Sequence, residues 1–72
     1  MPIDTPTAEE IAQHYSAAMD SVNLINEIVA SGDTDEETMD TKARNVEHLE
    51  IMVAKDFWTT EDLAPLQAAI AA

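Results

Sequence analysis

The sequence predicts an all-α fold, an antiparallel helical hairpin with a short C-terminal helix completing a three-helix arrangement. Three observations carry this. A hydroxyl followed by acids recurs as "TAEE" (Thr7 to Glu10), "TDEE" (Thr34 to Glu37) and "TTED" (Thr59 to Asp62). Apolar residues after the first two phrases return at spacings of three and four, the period of one helix face. The sole glycine, Gly32, sits between the two long stretches, where a helix needs a residue that accepts positive φ.

Each phrase reads as a helix start. A threonine at the N-cap accepts a hydrogen bond from the backbone N–H three residues on. An acid at that third position reaches back to the cap and also complements the helix dipole. The pairs are Thr7 with Glu10, Thr34 with Glu37, and Thr59 with Asp62, Thr60 being an equally good cap one residue later. The text that follows does not repeat, since Ile11, Thr38 and Leu63 hold equivalent positions. Internal duplication is therefore not expected, and residues 1–72 form one domain with helices at about 8–31, 35–55 and 60–71.

In the first helix, Ile11, Tyr15, Ala18, Val22, Ile25 and Val29 alternate by four and three and form the expected core seam. Leu24 and Ile28, with Ala17, lie a third of a turn away and Met19 lies on the other flank. The apolar arc is thus wider than one partner helix needs. The connection "SGDTDEE" (Ser31 to Glu37) is short enough to return the chain antiparallel. The second helix places Met39, Val46, Leu49 and Val53 on its buried stripe, with Phe57 extending it. Lys42 lies inside that stripe, where its methylenes can pack while its ammonium reaches a nearby Asp or Glu. Ile51 falls on the opposite face among Arg44, Glu47 and Ala54, either simply exposed or an anchor for a partner.

Beyond Lys55 the chain changes character. Pro65 lacks an N–H and its ring crowds the preceding turn, so a break or kink near Ala64 is expected, with Pro65 in the first turn of a last helix. Leu63, Leu66 and Ile70 form that helix's apolar edge. Phe57 and Trp58 occupy the bend, and two adjacent aromatic residues at one short corner are not both expected to point inward. Trp58 either closes the core or anchors a partner.

A single core of 72 residues stabilises only marginally, because burial barely exceeds an ordering cost of about 1.5 kcal/mol per residue. There is no cysteine, hence no disulfide framework and no thiolate chemistry, which suits an interior compartment. The opening "MPIDTPTAEE" has neither a basic n-region nor an apolar h-region, so secretion by a signal peptide is not expected; nor is a membrane span, because no apolar run approaches the ~18 residues required. Fifteen Asp and Glu against three Lys and Arg give a formal charge of −12. A phosphate backbone or an anionic lipid surface repels such a chain and a basic protein attracts it, although acidity also serves solubility alone.

Catalytic and metal motifs fail at particular residues. His14 and His48 fit neither His-Glu-x-x-His nor the Glu-x-x-His spacing of carboxylate-bridged metal sites. Glu10 and His14 share a face at i, i+4, the spacing of a solvent-side ion pair. "DTDEETMDTKAR" from Asp33 begins like a calcium loop, but Thr38 stands where glycine is needed and Arg44 where the bidentate Glu is needed. One glycine cannot build a phosphate-cradling loop, and Ser16, Ser21 and Ser31 lack a base and oxyanion partner at a motif spacing. The expectation is a protein without enzymatic activity, cofactor or metal.

The segment from Lys55 to Ala72, with its string "DFWTTEDLAPLQAAIA", resembles the C-terminal portion of small uncharacterised proteins of tailed bacteriophages. It covers about a quarter of the chain and brings no functional residue with it. The resemblance implies a virion or virion-assembly setting, in the particle or the host cytoplasm. Free ends of small domains fray, so an assembly role also predicts chain ends held by neighbours. The reading is a structural or adaptor subunit that binds a larger protein assembly or a basic protein surface, with homo-oligomerisation open to it. Leu24, Ile28, Ile51, Phe57 and Trp58 are the expected partner-binding residues. The alternative is an acidic DNA mimic, or another inhibitor of a basic nucleic-acid-binding protein. A mimic needs two rows of carboxylates, whereas only Asp33 to Asp40 is dense and Glu9, Asp20 and Glu27 are widely spaced.

Overall fold

A computed structural model of the chain describes residues 6–72. It contains three helices, α1 (Ala8–Ser31), α2 (Glu36–Val53) and α3 (Thr60–Ala71). The expectation that neighbours hold the chain ends falls, at the N-terminus, outside the described residues.

α1 begins and ends as its local chemistry dictates. Thr7 Oγ1 accepts from the Glu10 N–H at 3.1 Å and the Thr7 N–H donates to Glu10 Oε1 at 2.9 Å. At the other end Gly32 has φ 73°, and its N–H donates to the Ile28 carbonyl at 3.3 Å. A side chain there would be strained by the left-handed backbone, and glycine carries none. α3 starts with the same reciprocal box, Thr59 Oγ1 accepting from the Asp62 N–H at 3.1 Å and the Asp62 carboxylate accepting from the Thr59 N–H at 3.4 Å.

The middle phrase behaves differently. Thr34 is not the cap of α2; Asp35 takes that position in extended backbone and makes no side-chain capping hydrogen bond. The third residue after Asp35 is Thr38, not Glu37, so the expected box is shifted out of register. The Thr38 hydroxyl beside Asp35 holds its carboxyl below the ordinary carboxylate value.

α1 and α2 form the antiparallel hairpin, and α3 lies against both. Trp58 packs by Tyr15 at one end and Ala72 reaches Lys42 at the other, so α3 runs parallel to α1. The core is Ala18, Val22, Ile25, Leu49, Met52, Leu66 and Ala69, with Ile25, Leu49 and Leu66 fully buried. Each large aliphatic side chain buried in this way contributes about 1.5–3 kcal/mol.

Five expectations change in the folded chain. Pro65 lies inside one continuous α3, where only its bond to the Glu61 carbonyl is lost; the box at Thr59 and the burial of Leu66 and Ala69 keep the helix intact. Val29 is 49% exposed while Ile28 is 8% exposed. Two helices pack on α1, which shifts its buried arc toward Ser21 and Ile28, and the small Ala72 across the hollow leaves Val29 uncovered. Met52 joins the core because α3 covers the flank of α2 that a bare hairpin would leave open. Leu63 and Ile70 are half-buried, and Ala69 with Leu66 forms the inward edge of α3. Lys42 is half-buried as expected, but its Nζ donates to the backbone oxygen of Ala72 at 3.1 Å rather than meeting a carboxylate side chain.

Candidate functional site

The five residues expected to bind a partner do not form one patch. Leu24 on α1 is 36% exposed and Ile51 on α2 is 56% exposed. Ile28 is a correction, being buried toward the hairpin end beside Met39 and Lys42. Phe57 and Trp58 are both half-buried at the α2–α3 corner, so each keeps part of its ring accessible.

That corner is an aromatic cluster. The Phe57 and Trp58 rings meet at 4.6 Å between centroids, inclined by 59°. His14 stacks on Phe57 at 5.7 Å, and Tyr15 meets Trp58 at 6.1 Å. Adjacent aromatic residues both find cover because α1 extends past the corner and offers two rings of its own. The Trp58 indole N–H donates at 2.7 Å to the Met52 carbonyl near the end of α2, which also accepts from the Lys55 N–H at 3.0 Å. His14 is therefore engaged with Phe57 rather than in a salt bridge with Glu10, whose carboxylate serves the Thr7 box. The Thr7 N–H, then the Thr7 hydroxyl, hold the Glu10 carboxyl below its ordinary value.

At the opposite end of the bundle lies an open hollow of about 200 Å³. Val29, Met39, Lys42 and Ala72 contribute to its lining. The Lys42 ammonium beside it is engaged with Ala72, and Asp33 and Thr34 add a carboxylate and a hydroxyl to the rim, so the hollow is of mixed character.

One polar pair was invisible in the sequence. Ser21 Oγ and His48 Nδ1 share a hydrogen bond at 2.8 Å across the hairpin, and Ser21 is only 6% exposed. With Nδ1 bare the hydroxyl donates; with Nδ1 protonated the ring donates and the hydroxyl accepts, so either state is satisfied. A nucleophile and base can stand at this distance. Here the hydroxyl is enclosed between helices and the Ser21 N–H is spent inside α1, so the pair joins the two helices in register rather than presenting an oxygen to solvent. The only signal was Ser21's position on the arc between Ala18 and Ile25; no spacing rule links residues 27 apart.

Charge is largely uncompensated. Among the described residues one ion pair forms, Arg44 with Asp40 at 3.1 Å, both exposed and therefore weak. Among the same residues no group of three or more His, Cys, Asp or Glu is placed to hold a metal, and no helix is long and apolar enough to cross a membrane. Comparison with protein-family models, with curated proteins and with solved structures found no match.

Proposed function

We propose that this chain is a non-enzymatic interaction protein, a small structural or adaptor subunit that packs helix faces against a larger protein assembly. The observation that carries the reading is the position of Ile51, a large apolar side chain more than half exposed on a face that no other helix of the fold covers. A chain of charge −12 can stay soluble without placing isoleucine there, and an exposed aliphatic group on such a surface suits a contact. The resemblance of the C-terminal segment to small tailed-phage proteins supplies the setting, a virion or its assembly.

The test is co-purification of the untagged protein from its native source, washed at low and at moderate salt, with mass spectrometry of what remains bound. A packed apolar contact survives moderate salt, because burial is not screened. Recovery of only basic nucleic-acid enzymes, released steeply by salt and displaced by duplex DNA, would instead establish the acidic mimic.

A further inference from the structure

The outer face of α2 carries Glu36, Asp40, Ala43, Glu47 and Ile51, continued by the C-cap residue Ala54, at spacings of four, three, four, four and three, and every one is exposed. This is a straight stripe on the back of the helix, away from Leu49, and it runs roughly 27 Å at 1.5 Å per residue. Spacings of three and four are those by which side chains of one helix enter the holes of another. Its two alanines are small enough to let a neighbouring backbone approach, and Ile51 is its one large apolar side chain.

The charge along the stripe specifies the neighbour. Arg44 pairs with Asp40, and Lys42 is turned to Ala72. Among the described residues Glu36 and Glu47, with Glu50 beside them, form no ion pair. A second copy of this chain is a poor occupant, since a two-fold contact would set these same carboxylates against one another. A helix bearing lysine or arginine on its flanks and an apolar stripe between them complements both features.

From this we infer that the outer stripe of α2 docks a basic amphipathic helix, with Ile51 as the apolar centre and Glu36, Glu47 and Glu50 meeting its cations. The inference rests on the interaction reading above and states the chemistry of the partner. Nucleic acid is excluded by charge, and a flat basic surface would leave the side of Ile51 unburied.

The experiment uses the full chain and two labelled peptides of three heptads each, one with leucine on its stripe and lysine on its flanks, the other with every leucine replaced by serine. Fluorescence anisotropy should show the leucine peptide binding about tenfold more tightly than the serine peptide. Ile51→Ser should abolish that difference, and Glu47→Gln should weaken both peptides, whereas Asp20→Asn on α1 should change neither. Circular dichroism checks that each variant keeps the parent melt. Equal binding of the two peptides, an Ile51→Ser variant that still prefers leucine, or an Asp20→Asn loss equal to that of Glu47→Gln would overturn the proposal, the last because binding would be diffuse attraction. If co-purification finds a salt-resistant partner that Ile51→Ser retains, this inference alone fails; if parent and variant retain none, the interaction reading fails with it.

Discussion

The two ends of the bundle are built differently. At one end α1 and α3 both start, each with a complete capping box, and four rings from His14, Tyr15, Phe57 and Trp58 close the core. At the other end α2 starts from Asp35 without a side-chain cap, and Gly32, Ala71 and Ala72 supply little volume. An open hollow remains there, bridged by the hydrogen bond of Lys42 to Ala72. The two connections differ in backbone as well, Gly32 being left-handed and Ala54 right-handed, and the sealed end is the one that carries the large rings and the paired capping boxes.

Variants can test how far the ends are independent. The largest effect should come from between them. Leu49→Asp, or Val22→Asp in the facing seam, would bury an unpaired charge in the core shared by both ends, at a cost of about 3–5 kcal/mol. The expected result is loss of helical circular dichroism. A parent-like melt from either variant would show that the core is not where the structure puts it.

Next in size is the contrast between the ends themselves. Trp58→Ala removes ring contacts and the indole hydrogen bond to the Met52 carbonyl, which keeps the Lys55 N–H as a donor, so a loss of about 2–3 kcal/mol is expected for a half-buried tryptophan. Lys42→Met at the open end keeps the packed stem and loses one exposed hydrogen bond, which should cost under about 1 kcal/mol. In a domain this small each kcal/mol moves the melting temperature by roughly 4–8 °C, so thermal melts resolve the pair. Equal losses would mean the open end is as tightly held as the aromatic one.

Caps give a smaller difference. Thr7→Ala and Thr59→Ala should each cost about 1 kcal/mol, while Thr34→Ala should be nearly neutral because Asp35 holds the cap position of α2. A matching loss at Thr34 would restore the reading in which all three phrases act alike.

The smallest effect is in pH. Glu10 at the aromatic end is held below its ordinary value by the Thr7 N–H and hydroxyl, and Asp35 at the open end by the Thr38 hydroxyl. A carboxyl whose folded value lies below its unfolded value contributes stability above the unfolded value and loses it as pH falls through the folded one. Acidification should therefore weaken both starts. Glu10→Gln should be less stable than the parent at neutral pH and converge with it in acid, in melts recorded across that range. A gap that persists in acid would mean the Glu10 charge is not what the box uses.

How much was legible follows from the same residues. Ile51 was readable as exposed because it lies nearly opposite Leu49, and no arrangement of partners changes a position so far around the helix. Leu24 and Ile28 are both closer to the arc's edge, where a small rotation decides; one stayed partly exposed and the other was buried. Phe57 and Trp58 could not be judged from their own segment, since the rings that cover them come from α1, more than forty residues earlier.

By itself the sequence determined where α1 starts and stops and, to within the choice of Thr59 or Thr60, where α3 starts, because a capping box and a left-handed glycine are closed by atoms within a few residues of one another. It also determined the helical hairpin, through spacing and a short connection. Only the tertiary structure decided that Ile28 and not Val29 is covered, that Ser21 meets His48, that Lys42 turns to Ala72, and that the Trp58 indole reaches the Met52 carbonyl. Each of these depends on the angle at which a second or third helix approaches. That angle comes from the simultaneous packing of all three, which no local spacing encodes.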